Sequence, residues 1–172
     1  MVSRVIPVEA FDLVIFGGTG DLARRKILPS LFRRFAAGQM PDDAFVIGVA
    51  RSELNTKAYQ KLVITALREF EPELSASAEL LNFTKQIKYV QIDAQGDFGW
   101  LDLAEQVRKD AVQAFYFSVS PSLFGQLAEK LHEYSIASQS SRIVLEKPFG
   151  KDLSSAQTLN AVLKEHFSED QI

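Results

Sequence analysis

The sequence predicts a single α/β domain, a parallel sheet with helices on both of its faces. Three observations carry this. Short apolar runs alternate with longer segments of helical spacing along the whole chain. Several of the runs are apolar throughout rather than at every second residue, as in strands covered on both sides. The first run breaks into a glycine cluster, Gly17-Gly18-Thr19-Gly20, that opens a helix. At 172 residues the chain is long enough for one well-packed core and short for two.

Residues 11–16 (FDLVIF) are the first expected strand. After the glycines, Leu22, Ile27, Leu28, Leu31, Phe32 and Phe35 fall on one helical stripe, and Arg24, Arg25, Lys26, Arg33 and Arg34 crowd the other side. Pro29 lies inside this helix and should kink or divide it, and Gly38 should stop it. Residues 44–49 (AFVIGV) read as the second strand, followed by Ala50-Arg51-Ser52. Residues 55–71 form an amphipathic helix capped by Asn55 or Thr56, with Tyr59, Leu62, Val63, Ala66, Leu67 and Phe70 as its apolar face and Pro72 as its stop. A further helix or an irregular turn occupies 74–83. The third strand is 87–92, and a substantial helix is expected over 97–109. The fourth strand, 112–119, is broken by Ser120-Pro121, and Pro121 opens the helix 121–134. The fifth strand, 142–145, runs into EKPFG (146–150), and the last helix is 152–166, capped by Asp152 or Ser154. Strands and helices alternating in this way predict a Rossmann-like, doubly wound parallel sheet in three αβα layers over residues 1–172.

Composition excludes several function classes. With 47% hydrophobic residues, 24% charged, 6 Pro and 9 Gly, the chain is that of an ordinary globular protein. A net charge of −3 argues against nucleic-acid binding, which needs a basic excess on one face. The absence of cysteine removes disulfides, thiolate metal sites and a cysteine nucleophile. The two histidines, His132 and His166, fall in different helical segments and are not expected to form the close pair that zinc prefers, so no metal is expected. No apolar run approaches a membrane span, and residues 1–10 lack the apolar centre of a secretory signal. A cytoplasmic location is the default expectation.

The glycine turn reads G-x-x-G-x-x-A. Gly17 permits the tight turn, Gly20 a close approach of backbone to phosphate, and Ala23 a near contact of helix and strand. Free N–H groups and the positive end of the helix dipole would converge where a pyrophosphate can sit. A bare strand-to-helix turn with no ligand remains open on this motif alone. Asp21 is awkward beside a pyrophosphate, unless it caps the helix or points away. An NAD site usually places Asp or Glu at the end of the second strand to hold the ribose hydroxyls, but here that place holds Ala50-Arg51-Ser52. A guanidinium can grip a 2′-phosphate with two parallel bonds, so the pattern favours NADP. Lys147 follows the fifth strand at the edge where open α/β sheets bind ligands, and Pro148 invites a special peptide geometry there. A Glu146–Lys147 surface pair is the alternative. A short-chain reductase would need Tyr-x-x-x-Lys, but Val63 follows Tyr59 and Ser138 follows Tyr134 at that spacing.

GGTGDLARRKILPSLF (17–32), GVARS (48–52), FYFSVSPSLF (115–124) and EKPFGKD (146–152), in this order and at these separations, closely resemble the N-terminal coenzyme domain of the glucose-6-phosphate dehydrogenase family. The resemblance covers nearly the whole chain. It implies an NADP-dependent oxidation of glucose 6-phosphate to the lactone, at the entry to the pentose phosphate pathway, by an enzyme that is a homo-dimer or tetramer. It implies that Gly17, Gly18, Thr19, Gly20, Asp21, Leu22, Ala23 and Arg24 form the pyrophosphate turn and that Arg51 binds the 2′-phosphate. Ser120 and Pro121 would line the nicotinamide side, where the family often has two prolines. Lys147 would touch both sugar and coenzyme, and Pro148 would position the nicotinamide. In the family, the segment like 167–172 leads into an Arg-Ile-Asp-His-Tyr-Leu-Gly-Lys-Glu motif and a large β+α domain carrying the catalytic histidine. The expectation is therefore a coenzyme domain that binds NADP weakly alone, has no catalytic residue of its own, and exposes apolar surface near Phe149 and the last helix. A non-catalytic NADP-sensing module is the other reading.

Overall fold

The computed structural model describes residues 8–146 and 152–172. Within them lie β1 (Phe11–Phe16), β2 (Phe45–Ala50), β3 (Ile87–Gln91), β4 (Val112–Phe117) and β5 (Arg142–Leu145), all paired in parallel in the order β3-β2-β1-β4-β5. The helices are α1 (Leu28–Ala36), α2 (Thr56–Phe70), α3 (Glu79–Lys85), α4 (Trp100–Gln106), α5 (Phe124–Glu133) and α6 (Leu153–Lys164). Chain order runs outward from β1 in one direction and from β4 in the other. The carboxyl ends of these two strands therefore flank the crevice where doubly wound sheets take their ligands.

Successive residues of each central strand serve opposite cores. Ile15 and Val46 join Leu28, Phe32, Tyr59, Val63, Leu67 and Phe83 on the α1–α3 side. Val14, Phe16, Ile47 and Val49 join Trp100, Leu103, Phe115, Phe117, Phe124 and Leu127 on the α4–α6 side. This is why the strands read as unbroken apolar runs. Among the described residues no helix is long and apolar enough to cross a membrane.

The local signals act as their chemistry requires. Pro29 does divide its helix: the turn Ala23–Ile27 is widened, with the Leu28 N–H donating to the Ala23 carbonyl five residues back, before α1 begins. A proline ring collides with the carbonyl four residues earlier, here that of Arg25, which lies in the widened turn. After α1 the Gly38 N–H donates to the Phe35 carbonyl (2.9 Å) and the Gln39 N–H to that of Arg34 (2.9 Å), satisfying the last turn. Asn55 caps α2 by accepting from the Ala58 N–H, and Asp152 caps α6 in a reciprocal pair with Ser155. Residues 74–83 resolve into a single tight turn, Leu74–Ala76, and then α3.

The helix expected over 97–109 is shorter at both ends. Residues 93–98 fold back on themselves, the Asp93 N–H donating to the Phe98 carbonyl (3.2 Å). At the other end the buried Asp12 carboxylate takes the Arg108 N–H (2.7 Å) and its guanidinium (Nη2 to Oδ1, 2.6 Å), drawing Arg108 out of helical geometry. The helix expected from Pro121 begins as a tight turn, Pro121–Leu123, and becomes α-helical at Phe124. Leu153 (74% exposed) and Ile172 (40%) leave apolar surface open around α6, while Phe149 lies outside the described residues.

Candidate functional site

Directly after β1, Gly17 adopts φ +86°, and a Cβ there would lie 2.2 Å from the Ser118 carbonyl oxygen. The Gly17 and Gly18 N–H groups both donate to the Val49 carbonyl (2.8 and 3.0 Å), and the Gly20 N–H closes the turn on the Gly17 carbonyl (2.8 Å). The turn is thereby pinned to the end of β2. Asp21 and Leu22 follow as the first helical residues, whose N–H groups have no partner one turn earlier within the helix. Ala23 is fully buried at the contact of helix and sheet, as expected of that position. The Asp21 carboxylate pairs with Arg25 one turn on (2.7 Å), and both side chains are more than half exposed, so its charge is spent along the helix surface. The Arg24 Nε is buried without a hydrogen-bond partner among the described residues.

Two tyrosines hold this edge of the sheet: Tyr59, which the sequence places on the apolar face of its helix, and Tyr89, which lies within the third expected strand. The Tyr59 hydroxyl, fully buried on α2, donates to the Gly18 carbonyl at 2.8 Å. Its ring fills the space over Gly48, where a Cβ would lie 2.3–2.4 Å from the ring and hydroxyl. The Tyr89 hydroxyl, from β3, donates to the carbonyls of Ser52 (2.6 Å) and Ala50 (3.1 Å). The two rings lie 4.8 Å apart. Burial pushes both phenols above their ordinary range, which favours the neutral, hydrogen-donating form. The available signal was Gly48 inside a strand, since a glycine there marks a close approach by something large.

A cavity of about 520 Å³ opens at this edge. Its floor is apolar, from Phe16, Val49, Ile92, Val119 and Leu127. Its polar rim combines Gly17, Thr19 and Gly20 with Arg51, Ser52, Asp93, Gln95, Ser120 and Ser122. The Thr19 and Ser52 hydroxyls meet across it at 3.4 Å. The Asp93 carboxylate, which sequence reasoning did not select, accepts the Gln95 N–H (3.0 Å). Of the residues expected at a site, Gly17, Thr19, Gly20, Arg51 and Ser120 share this one cavity. Gly18, Asp21, Leu22, Ala23, Arg24 and Pro121 adjoin its walls in sequence without lining it. Lys147 and Pro148 lie outside the described residues. Glu146 accepts a hydrogen bond from the Tyr116 hydroxyl, whose pKa is raised by burial and by that carboxylate.

The histidines require a correction. His132 and His166 do meet, with ring centroids 5.7 Å apart, because α5 and the end of α6 pack together on one face of the sheet. Among the described residues no group of three or more His, Asp or Glu side chains is placed to hold a metal ion, and neither histidine lines the cavity.

The sequence profile of the family described as glucose-6-phosphate dehydrogenase, NAD binding domain, matches residues 14–172. The chain is 41% identical over 175 residues to the glucose-6-phosphate 1-dehydrogenase of Rhizobium meliloti, covering 100% of this chain and 36% of that protein. It is 39% identical to the corresponding protein of Gluconobacter oxydans, over 96% of this chain and 35% of that one. Among solved structures, glucose-6-phosphate 1-dehydrogenase from Mycobacterium avium superposes with a TM-score of 0.87 at 30% identity, covering 96% of this chain and 36% of that one. A glucose-6-phosphate dehydrogenase in complex with its substrate glucose-6-phosphate gives 0.83 at 29% identity, over 96% of this chain and 37% of that one. The chain thus spans about a third of the length of these relatives. The glycine turn, the strand order and the profile match agree, and the chain belongs to the glucose-6-phosphate dehydrogenase family, whose NAD binding domain it matches.

Proposed function

We propose that this chain is the coenzyme-binding part of an NADP-linked glucose-6-phosphate dehydrogenase. The observation that carries the choice of coenzyme is the rim of the cavity. Arg51 and Ser52 follow β2 where an NAD site would place a carboxylate, and they face the same space as Thr19 and Gly20. Among the described residues the Arg51 guanidinium has no carboxylate partner and is open to solvent, which leaves its fork free for a phosphate. Thr19 and Ser52 add hydroxyl donors beside it.

The remaining roles follow from place. The segment from Gly17 to Arg24 holds the pyrophosphate at the start of its helix: the Gly17, Gly18 and Gly20 N–H groups shape the turn, and the N–H groups of Asp21 and Leu22, with the helix dipole, are left for the phosphates. Ser120, with Pro121 behind it, borders the nicotinamide side at the end of β4, opposite Arg51. Lys147 and Pro148, which come directly after Glu146 in the sequence, are proposed to meet the sugar and the nicotinamide. NADP, when bound, supplies the acceptor for the hydride that leaves C1 of glucose 6-phosphate. The proton of the C1 hydroxyl is taken neither by His132 nor by His166, which pair away from the cavity.

Titration of the chain with NADP and NAD tests this reading. Arg51→Ala is expected to weaken NADP at least about tenfold, the worth of one charge-assisted contact, and to leave NAD unchanged. An unaltered NADP affinity refutes the coenzyme assignment. The same preparation is expected to bind NADP without oxidising glucose 6-phosphate, and measurable turnover would show that the chain supplies its own base.

A further inference from the structure

The three residues that carry Arg51 are held by their carbonyls. Ala50 accepts from the Tyr89 hydroxyl (3.1 Å) and the Ile92 N–H (3.0 Å), Arg51 from Gln91 Nε2 (3.2 Å), and Ser52 from the Tyr89 hydroxyl (2.6 Å) and the Leu54 N–H (2.9 Å). Every one of these carbonyls is thus anchored on β3 or just beyond it, except for the Leu54 bond within the loop itself. The glycine turn has separate anchors: the Tyr59 hydroxyl on the Gly18 carbonyl (2.8 Å) and the Val49 carbonyl beneath Gly17 and Gly18. The two phenols touch, yet each serves one loop.

We infer that Tyr89 is a positioning residue for coenzyme selection: its hydroxyl fixes the 50–52 loop so that Arg51 and Ser52 face the cavity, and so sets the preference for a 2′-phosphorylated dinucleotide over its unphosphorylated counterpart. The inference rests on the reading that this cavity takes NADP with its 2′-phosphate at Arg51. A bidentate contact depends steeply on the orientation of the fork. Without the phenol the Ala50 carbonyl keeps only the Ile92 N–H, and the Ser52 carbonyl only the Leu54 N–H within the loop itself, so Ser52 loses its tie to β3. The pyrophosphate turn does not depend on Tyr89 and keeps its own bonds. Tyr59 therefore acts on both coenzymes equally, whereas Tyr89 acts on one.

The experiment measures dissociation constants for NADP and for NAD with the wild-type chain, Tyr89→Phe, Tyr59→Phe, Gln91→Ala and Arg51→Ala, alongside the thermal midpoint of each. Tyr89→Phe is expected to weaken NADP about fivefold, the effect of one ordinary hydrogen bond, with NAD unchanged. Tyr59→Phe is expected to weaken both by the same factor. Gln91→Ala, which removes the outermost anchor without disturbing the core, is expected to lower the NADP-to-NAD ratio in the same direction as Tyr89→Phe and carries the test if Tyr89→Phe does not fold. A wild-type ratio in Tyr89→Phe, or in Gln91→Ala where Tyr89→Phe is unfolded, overturns the inference provided that Arg51→Ala lowers it. A wild-type ratio in Arg51→Ala overturns the underlying coenzyme reading instead.

Discussion

Gly48 and Tyr59 form a fit that neither residue announces alone. The strand passes beneath the ring without a side chain, and the ring reaches past it to bond the Gly18 carbonyl. Gly48→Ala would place a methyl group 2.3–2.4 Å from atoms of a fully buried ring. The expected cost is about 1–3 kcal/mol, read as a lowered denaturation midpoint. In a Tyr59→Ala background the same substitution should cost markedly less, because the atoms it meets are gone, and additive costs would disprove the fit. At this scale the sequence was partly legible. Gly17 and Arg51 stand next to apolar runs whose ends locate them, and both arrive at the cavity. Tyr59 and Tyr89 bond carbonyls 41 and 37 residues away, and no local pattern encodes such a bond. On periodicity alone, Tyr59 is one more member of an apolar helical face.

Elements were legible where a chemical stop signal stands at their ends. β1 and β5 have the bounds that their apolar runs suggest, α2 begins at the Asn55 cap, and Pro29 divides its helix. α4 was not, because nothing between Leu103 and Lys109 breaks a helix by itself. It is ended by Asp12, a carboxylate from β1 with no exposed surface, which holds both the backbone and the guanidinium of Arg108. Arg108 also bonds the Asp43 carbonyl (2.7 Å) and lies over the Phe45 ring, so this one pair joins β1, the start of β2 and the end of α4. Asp12→Ala is expected to destabilise the fold by about 3 kcal/mol, the low end for breaking a buried pair, because the Arg108 side chain retains some access to water. Urea titration of the variant measures it. A loss under about 1 kcal/mol would mean that the pair only fills space.

Over the whole molecule, the alternation of strand and helix dictated a parallel sheet, and the order β3-β2-β1-β4-β5 puts the ligand edge between β1 and β4. That edge gathers segments from four loops, at Gly17, Arg51, Asp93 and Ser120, widely separated in sequence. The α1–α3 layer and the α4–α6 layer leave Val144 of β5 partly open, on an edge strand whose outer side has no neighbour among the described residues. The chain carries a single tryptophan, Trp100, and it is fully buried. Its indole N–H donates to the carbonyls of Asp93 and Gly96 (both 3.1 Å), and its ring lies 5.9 Å from that of Phe16. Asp93 and Phe16 are both walls of the cavity. The tryptophan emission of the native chain therefore comes from one position one residue layer behind the proposed coenzyme site, and it should change as NADP fills the cavity. Occupancy, selectivity and unfolding can all be followed from that single indole, excited where the four tyrosines do not absorb, with no label and no turnover assay.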